Sequence, residues 1–408
     1  MTKNNSYDVI IVGGGVAGST AGYLLRKLGF KTLIIDKAVF PRDKLCGGFV
    51  TLKTLQLDKK NYGEDIESLK KKKIINYITY DYEINYQNTD PVFRNTEYPF
   101  VFVNRAVYDD FLLQKAKYVG IEVLEGETIK SIDIDECKVI LFDKKSDGTL
   151  NKKSKGREFK SDFLIGADGV NSRVRQEFWK KGLFNQKKWN RNLATAVEVY
   201  IDRKDLEKGS FLHPIFSVGV INWGFAWVFP NEERIIVGLG GLNRKNKGNF
   251  IKAIKNWISQ LNLNSKPIKI QGHPVPFGFP KIKPVYNGRV FLIGDAGGFV
   301  CPLMGEGLYM AKRTAEFVVT AIYNNLVDKK AIEDSFLWSL EKYIYSEIKA
   351  AVKLRFLFFN IGKPFKYKLT RYLVKKIMLP FVELTHGERS FKWLRKKNVN
   401  LLELMTPK

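Results

Sequence analysis

Apolar runs and glycine-rich turns alternate along the first part of the chain. Residues 7–12 form a continuous apolar run, which predicts a strand buried on both faces. The glycine-rich turn 13–18 follows and opens a helical stretch that Gly29 ends. A second apolar run, residues 31–35, stops at Asp36. This order predicts a compact βαβ unit.

The remaining pattern alternates between strand-like and helix-like stretches. Residues 70–104 and 190–280 are mostly β-like, with a helix around 249–261, whereas 105–120 have helical spacing. We predict an α/β fold: a discontinuous Rossmann-type domain, an inserted antiparallel β-rich substrate domain and a helical C-terminal extension. The predicted domains are residues 1–75, 105–185 and 286–330 for the first, 76–104 and 186–285 for the second, and 331–408 for the extension.

Charge is the unusual feature of the composition. Lys and Arg number 68 against 42 Asp and Glu, so the formal net charge is +26. Such an excess favours an anionic partner, for which nucleic acid, an acidic membrane surface and an acidic electron donor are the candidates. The alternative is a lysine-rich bias of the whole proteome, because much of the excess is spread along the chain.

Cysteine and histidine are too few and too scattered for a metal or disulfide site. Cys46, Cys137 and Cys301 form no CxxC pair, and the three histidines form no cluster, so we expect no metal. Six residues precede the first apolar run, which leaves no room for a signal peptide. No stretch reaches the roughly 18 apolar residues of a membrane-spanning helix. We therefore expect a cytoplasmic location.

The first motif is Gly13-x-Gly15-x-x-Gly18 between the strand and the helix. Gly13 permits the tight turn, Gly15 lets the backbone approach a pyrophosphate, and Gly18 allows close packing of helix on strand. Asp36 stands at the end of the next strand, where an acid accepts hydrogen bonds from a ribose. The motif predicts a dinucleotide site but does not separate FAD from NAD.

A second motif makes that distinction. Gly294-Asp295 follows the apolar strand 289–293, and Gly305-Glu306-Gly307 then opens a helix. An acid here can bind the ribityl hydroxyls of a flavin, and the helix N-terminus can stabilise negative charge on the reduced ring. The cofactor expected is therefore FAD.

A third segment, Asp168-Gly169, follows another buried strand. Together with Gly13-x-Gly15-x-x-Gly18 and Gly294-Asp295, it resembles the flavoprotein group that includes para-hydroxybenzoate hydroxylase. Asp168 and Gly169 are thereby implied to bind the cofactor. The resemblance spans roughly residues 7–326 and is specific because three motifs occur in one order.

Within that group the chain resembles the geranylgeranyl reductase family. The segment Phe40–Gly48 matches one family motif, and Phe225-Ala-Trp227-Val-Phe229-Pro230 is similar to its Tyr-x-Trp-x-Phe-Pro motif, although Phe225 stands where Tyr is usual. Asn222 also stands where a proline is frequent. The resemblance implies that Arg42, Cys46, Gly47, Arg105, Gly305 and Gly307 adjoin FAD.

The resemblance implies reduction of a prenyl double bond in a lipid, quinone or prenyl diphosphate by hydride from flavin N5. The candidate catalytic residues are Cys46, Trp227 and Phe229. Trp227 and Phe229 share one face of a strand, and Cys46 is expected near the flavin without a covalent role. Phe277, Phe279 and Phe299 are further candidates for an apolar wall. The sequence does not indicate which residue donates the proton. Both NAD(P)H and a ferredoxin are candidate electron donors.

Three other functions are weighed against this one. A flavin-dependent hydroxylase or halogenase of the same fold is one class, and a prenyl-binding protein without redox chemistry, similar to GDI, is another. The reductase resemblance gives no reason to expect nucleic acid as a partner.

The C-terminal extension is rich in cations. Residues 345–397 carry 14 Lys or Arg against 3 Glu, with Leu369, Tyr372, Leu373 and Ile377 at helical spacing. This pattern predicts peripheral binding to an anionic membrane through the extension.

Overall fold

The described strands range in length from 2 to 12 residues. The computed structural model describes residues 5–86, 91–263, 270–277, 285–328, 331–361 and 380–391. The strands in these ranges are β1 (Ser6–Val12), β2 (Thr32–Ile35), β3 (Phe49–Val50), β4 (Ile75–Tyr86), β5 (Val92–Val103), β6 (Glu122–Leu124), β7 (Ile129–Asp133), β8 (Lys138–Leu141), β9 (Asp143–Lys144), β10 (Leu150–Asn151), β11 (Arg157–Gly166), β12 (Ala194–Asp202), β13 (Ile215–Val218), β14 (Gly224–Pro230), β15 (Arg234–Leu242), β16 (Ile270–Val275), β17 (Tyr286–Asn287) and β18 (Val290–Leu292).

The helices lie between these strands and after the last of them. They are α1 (Val16–Lys27), α2 (Leu52–Tyr62), α3 (Ile66–Lys71), α4 (Arg105–Tyr118), α5 (Arg173–Lys180), α6 (Gln186–Arg191), α7 (Asn243–Asn246), α8 (Phe250–Gln260), α9 (Leu308–Asp328) and α10 (Ser346–Ile361). Two π-helical segments, Glu333–Leu337 and Leu340–Tyr345, precede α10. A further helix covers 380–386. Among the described residues, no helix combines the length and the apolar character needed to cross a bilayer.

The first sheet brings its strand ends together at one edge. Its order is β17-β18-β11-β1-β2-β6, and the hairpin β7–β8 joins it through β8. The pairs β18–β11, β11–β1 and β1–β2 are parallel, and the register places Leu292 opposite Gly166, Gly166 opposite Val12, and Val12 opposite Ile35. The segments that follow these four residues therefore leave the sheet side by side, at the edge where ligands bind in such folds.

Helices α1, α4, α2 and α9 pack near this sheet, and a buried polar contact fastens two of them. Lys312 on α9 forms an ion pair with Asp58 on α2, and both side chains are fully enclosed. The Tyr108 hydroxyl donates to the second Asp58 oxygen at 2.6 Å. Both the lysine and the carboxylate thus find partners, as buried charges must.

The second sheet has the order β16-β12-β15-β14-β13-β4-β5-β3. One face, which includes Val197, Val199 and Val237, packs on α8. The sequence predicts an antiparallel insert, and the pairing differs at one place: β4 and β13 run parallel. These two strands are separated by more than a hundred residues and not joined by a hairpin turn, so chain connectivity does not force them to be antiparallel. The membrane-binding stripe predicted around Leu369 and Ile377 lies outside the described residues.

Candidate active site

Two glycines of the first motif are required by the packing of the protein itself. Gly13 has a φ of +105°, and a Cβ there would lie 2.4 Å from the carbonyl oxygen of Ala167. A Cβ on Gly18 would lie 1.8 Å from the carbonyl oxygen of Gly13. The turn, the first turn of α1 and the end of β11 therefore approach one another more closely than any side chain would allow.

Gly15 is different, because the protein leaves the space around it open. A Cβ there would have a single described neighbour within 4 Å, the Arg42 Nη2 atom at 3.2 Å. Gly15 also caps α1 without a side-chain hydrogen bond, and the first turn of that helix has no acidic residue. The free amide groups and the positive end of the helix dipole fit the pyrophosphate of a dinucleotide.

Asp36 holds the glycine turn in place. One of its carboxylate oxygens accepts a hydrogen bond from the Gly14 amide at 2.6 Å, and the other accepts one from the Ala38 amide at 2.8 Å. A carboxylate has further lone pairs, so these contacts are compatible with a ribose hydroxyl as an additional donor. The ribose contact itself stays a prediction.

One buried carboxylate positions both arginines that the resemblance implicates. Arg105 makes a two-pronged contact with Asp109, through Nε at 2.7 Å and Nη2 at 3.0 Å. Arg42 Nη2 lies 3.3 Å from the same carboxylate and close to Gly15. Two guanidinium groups against one carboxylate leave net positive charge at the start of α1, which suits a pyrophosphate. Sequence reasoning missed this role of Asp109, although its spacing of four from Arg105 is a helical ion-pair spacing.

The loop after β11 offers an unsatisfied polar atom. Asp168 Oδ2 accepts a hydrogen bond from the Arg173 amide at 2.6 Å, whereas Oδ1 is buried without a hydrogen-bond partner among the described residues. Burial raises the pKa of this carboxyl, and hydrogen bonds from Ser172 and Arg173 oppose the rise. Buried polar atoms are almost always paired, so the free oxygen fits a ligand hydroxyl. Gly169 beside it has a φ of +77°.

Arg175 connects this loop to the second flavin motif. Its side chain is buried and donates to the Val170 carbonyl at 2.5 Å and to the Ala296 carbonyl at 3.1 Å. The guanidinium also lies over the Trp189 ring at 3.7 Å. The Asp168 and Asp295 loops are therefore held at a fixed separation by one side chain.

The second motif closes the same edge of the sheet. Gly294 has a φ of +54°, and Asp295 follows it in a short 3₁₀ turn. A Cβ on Gly307 would lie 3.4 Å from Asp295 Oδ1, so the two parts of the motif lie next to each other. The helix α9 begins at Leu308, slightly later than the predicted Glu306. Glu306 instead accepts a hydrogen bond from the Tyr309 amide at 2.5 Å. A Cβ on Gly305 would meet no described atom within 4 Å.

The segment 40–48 extends from this edge to the second sheet. Burial lowers the pKa of Lys44, and the nearby Asp295 carboxylate opposes that shift. Burial acts to lower the pKa of Arg105 as well, but Asp109 and Cys46 beside it outweigh the burial and raise that pKa. Lys44 therefore lies near both Arg105 and Asp295, and Cys46 lies beside Arg105. The sequence pattern indicated Cys46 as a site residue but not Lys44. Lys44 lies in the same motif, and that position is the feature that could have indicated it.

The same segment adjoins the aromatic face of the second sheet. A Cβ on Gly47 would lie 2.4 Å from the Phe229 ring and 3.3 Å from Trp227 Nε1. Trp227 and Phe229 have ring centroids 6.0 Å apart, and both are more than nine-tenths buried. The rings that complete this aromatic wall are Phe49, Phe100, Phe102, Phe216 and Phe225.

The aromatic residues predicted for the wall do not all lie in one cluster: Trp227 and Phe229 do, whereas Phe277 and Phe299 pack elsewhere. Phe277 belongs to a cluster around Trp223, and Phe299 belongs to the core of the first sheet, where its ring lies 6.0 Å from that of Tyr345. Phe277 and Phe299 both lie in turns beyond strand ends. The packing of such residues depends on distant segments, which the local sequence pattern does not reveal. Phe279 lies outside the described residues. The helix 380–386 covers the wall instead, since Phe381 packs on Phe216 at 6.1 Å.

Glu198 is a residue of this site that the sequence did not reveal. It lies on β12 and is 1% exposed, and burial raises the pKa of its carboxyl to about 7 against the opposing influence of Lys44 and Arg105. Its Oε2 atom has no hydrogen-bond partner in the part of the chain that is described. A glutamate that is half protonated near neutral pH can donate or accept a proton.

Comparison with known proteins supports the cofactor assignment. Residues 6–207 match the model of the FAD binding domain family. The geranylgeranyl diphosphate reductase of Synechocystis is 28% identical over 77% of this chain and 74% of its own length. The digeranylgeranylglycerophospholipid reductase of Methanococcus vannielii is 25% identical over 75% of this chain and 74% of its own.

A solved structure extends the likeness to the whole fold. The geranylgeranyl bacteriochlorophyll reductase-like protein of Thermoplasma acidophilum superposes with a TM-score of 0.75 at 16% identity, covering 96% of this chain and 98% of its own. The chain resembles proteins of the geranylgeranyl reductase family in sequence and in fold. It is an FAD-dependent oxidoreductase with a Rossmann-type domain and an inserted β-rich domain, as the sequence predicted. Flavin-dependent halogenases and a monooxygenase share the fold at 16–18% identity, which says nothing of a shared reaction.

Proposed function

We propose that the chain reduces prenyl double bonds of a lipid, quinone or prenyl diphosphate with electrons that reach the substrate through bound FAD. The observation that carries the proposal is the contact of Gly47 with Trp227 and Phe229. It joins the cofactor edge of the first sheet to an aromatic wall of the second. The relatives named above are reductases of geranylgeranyl compounds, which supports an apolar prenyl chain as the ligand of that wall.

Each part of the site has a separate task in this proposal. FAD, when bound and reduced, supplies a hydride. The N-terminus of α1 and Arg42 hold its pyrophosphate, and Asp295 orients its ribityl chain. Trp227 and Phe229 bind the isoprenoid units by apolar contact and exclude water, which lowers the local dielectric constant and strengthens nearby electrostatic interactions.

The experiment begins with anaerobic reduction of the bound flavin by NADPH, NADH or a reduced ferredoxin in separate samples. The electron donor remains open between NAD(P)H and a ferredoxin, so the fastest of the three identifies it. Candidate prenyl lipids, quinones and diphosphates are then added, and flavin absorbance is followed. We expect one of them to reoxidise the flavin without oxygen and to gain two hydrogens per reduced bond by mass spectrometry.

A different result would favour the hydroxylase or halogenase alternative. In that case reoxidation would require oxygen, and an aromatic substrate would gain an oxygen or halogen atom. Reduced flavin that no prenyl compound reoxidises under anaerobic conditions would contradict the proposal.

We also propose that the chain meets its substrate at an anionic membrane. The C-terminal helices present exposed aromatic and cationic side chains together: Lys342 lies over the Trp338 ring at 4.3 Å, and Trp338 is 53% exposed. Phe356 on α10 is 62% exposed. Such pairs suit a bilayer interface, where each cation contributes about 1 kcal/mol near acidic lipid. Co-sedimentation with lipid vesicles should require acidic lipid, weaken as salt is added and decrease in the Trp338→Ala variant. Binding that does not depend on lipid charge or on salt would contradict this proposal.

A further inference from the structure

Three neighbouring strands place Glu198 beside the aromatic wall. Glu198 on β12 is opposite Gly238 on β15, and Gly238 is opposite Trp227 on β14. Residues directly opposite in antiparallel pairs point to the same face of the sheet. A Cβ on Gly238 would lie 2.4 Å from the Trp227 indole, so the indole covers the position where a side chain is missing. Its Nε1 edge, 2.6 Å from that Cβ, is thereby brought toward Glu198.

The carboxyl and the indole are neighbours that do not satisfy each other. The Tyr200 and Trp227 side chains lie within hydrogen-bonding reach of Glu198 and lower the pKa of its carboxyl against the effect of burial. Yet Glu198 Oε2 and Trp227 Nε1 are both buried without a properly formed hydrogen bond in the described structure. A purely structural buried glutamate would be expected to have its oxygens paired. Among the described residues, Oε2 therefore has lone pairs available for a ligand that binds beside the indole.

Charged and titratable groups surround this carboxyl from several elements. Lys44 from the segment 40–48 and Arg105 from α4 are the cations whose influence reaches it, and Tyr200 lies on its own strand. Arg234 on β15 lies over the Tyr200 ring at 4.3 Å. On β16, burial and nearby cations lower the pKa of His273 to about 4, so this imidazole is neutral at physiological pH.

The position of Glu198 also connects to the cofactor edge. Lys44, which acts on Glu198, is the same lysine that Asp295 acts on. A Cβ on Gly47, in the segment 40–48, would lie 3.3 Å from the same Trp227 Nε1 atom. Glu198 therefore lies on the side of the aromatic wall that faces the flavin loops, while its strand neighbours Val197 and Val199 face α8.

We propose that Glu198 is the acid that protonates the prenyl double bond. The inference rests on the proposed function. One alkene carbon gains a hydride, with its electron pair, from the reduced flavin, and the other gains the proton of the Glu198 carboxyl. The double bond becomes a single bond, the flavin is oxidised, and Glu198 becomes a carboxylate that regains a proton from solvent. A carboxyl beside an apolar wall is suited to this step, because the uncharged acid is the form that burial favours.

The test is a single anaerobic turnover in Glu198→Gln. We expect flavin reoxidation by the prenyl substrate to slow by about 10²–10⁴-fold, the usual contribution of a general acid. Reoxidation by ferricyanide, which needs no proton transfer to carbon, should keep its wild-type rate, and so should flavin binding. Glu198→Asp should recover part of the loss. The matched control is Glu64→Gln, another buried glutamate, which is paired with Lys72 and Lys115 away from this face and should turn over normally.

Two pH measurements separate a proton donor from a structural glutamate. Above about pH 7 the wild-type rate should fall about tenfold per unit, whereas Glu198→Gln should show no such fall. Because the folded-state pKa is raised, the stabilising effect of the protonated carboxyl is present at low pH and is lost as the pH rises through about 7. The folding equilibrium of the wild type should therefore weaken relative to Glu198→Gln by about two orders of magnitude between pH 4.5 and 8 in denaturant titrations.

Each outcome supports or overturns a distinct claim. A wild type that turns over, together with a Glu198→Gln variant that keeps its rate, overturns the role of Glu198 and leaves the proposed function standing. The same holds if Tyr200→Phe loses the reaction while Glu198→Gln does not, since the tyrosine is then the donor. A wild type whose reduced flavin no prenyl compound reoxidises overturns both proposals. Equal stability of wild type and Glu198→Gln at every pH overturns the premise that this carboxyl is held protonated.

Discussion

Gly15→Val should abolish FAD binding while leaving the fold intact. Gly15 has a φ of −70° and a ψ of −174°, so its backbone is accessible to any residue. The only described atom within 4 Å of an added Cβ belongs to the end of the flexible Arg42 side chain. The two valine methyl groups would occupy the space in front of the first turn of α1, where the pyrophosphate is predicted to lie.

The expected magnitudes separate binding from folding. Replacing glycine by valine at a helix N-cap costs on the order of 1 kcal/mol, which lowers the melting temperature of a chain of this size by about 1–2 °C. Losing two charge-assisted hydrogen bonds from helix amides costs about 3–6 kcal/mol. That corresponds to an affinity about 10²–10⁴-fold weaker, which is large enough to leave the purified protein colourless.

The assay is a titration of apoprotein with FAD, followed by flavin fluorescence, with circular dichroism and thermal unfolding on the same samples. Gly18→Ala is the matched control, since its Cβ would lie 1.8 Å from the Gly13 carbonyl oxygen and should disrupt the fold. A Gly15→Val variant that binds FAD within tenfold of the wild type would refute the placement of the pyrophosphate. An unfolded Gly15→Val, or a Gly18→Ala as stable as the wild type, would refute the packing argument.

Two further substitutions test the remaining parts of the site. Asp295→Ala should weaken FAD binding by about tenfold to a hundredfold at unchanged melting temperature of the apoprotein, through loss of one charge-assisted hydrogen bond; equal affinity would show that this strand end does not reach the ribityl chain. Trp227→Ala should reduce turnover of a prenyl substrate much more than it weakens FAD binding, with Trp227→Phe as the milder control. A parallel loss of FAD would assign the segment to the cofactor, and normal turnover per folded molecule would leave Trp227 as a core residue.

Local spacing explains why the cofactor edge was predictable. The glycines of the first motif, Asp36 and Gly294-Asp295 each follow an apolar strand directly, and parallel strands necessarily end at the same edge. The order of the motifs along the chain therefore indicates which loops share that edge. The parallel register of Leu292, Gly166, Val12 and Ile35 brings those loops to one edge of the sheet.

Glu198 could not be found in this way because its strand has a misleading pattern. Along β12, Val197, Val199 and Ile201 alternate with Ala196, Glu198 and Tyr200, which is the pattern of a strand with one face in water. That second face is instead covered by aromatic residues from distant segments and by the segment 40–48. Its burial depends on the register of three strands and on Gly238, none of which a single-strand pattern contains.

The parallel arrangement of β11 and β18 has a consequence for how the protein is made. The cofactor edge needs both Gly13 and Asp295, so the site cannot be complete until the roughly 280 residues between them have been synthesised. At ordinary synthesis rates of about 5–20 residues per second, this delay is roughly 15–60 s. During that time β11 exposes an unpaired edge that β18 later covers. The nascent chain should therefore depend on chaperones at this stage, and flavin supply should affect the yield of finished protein more than the early steps of its folding.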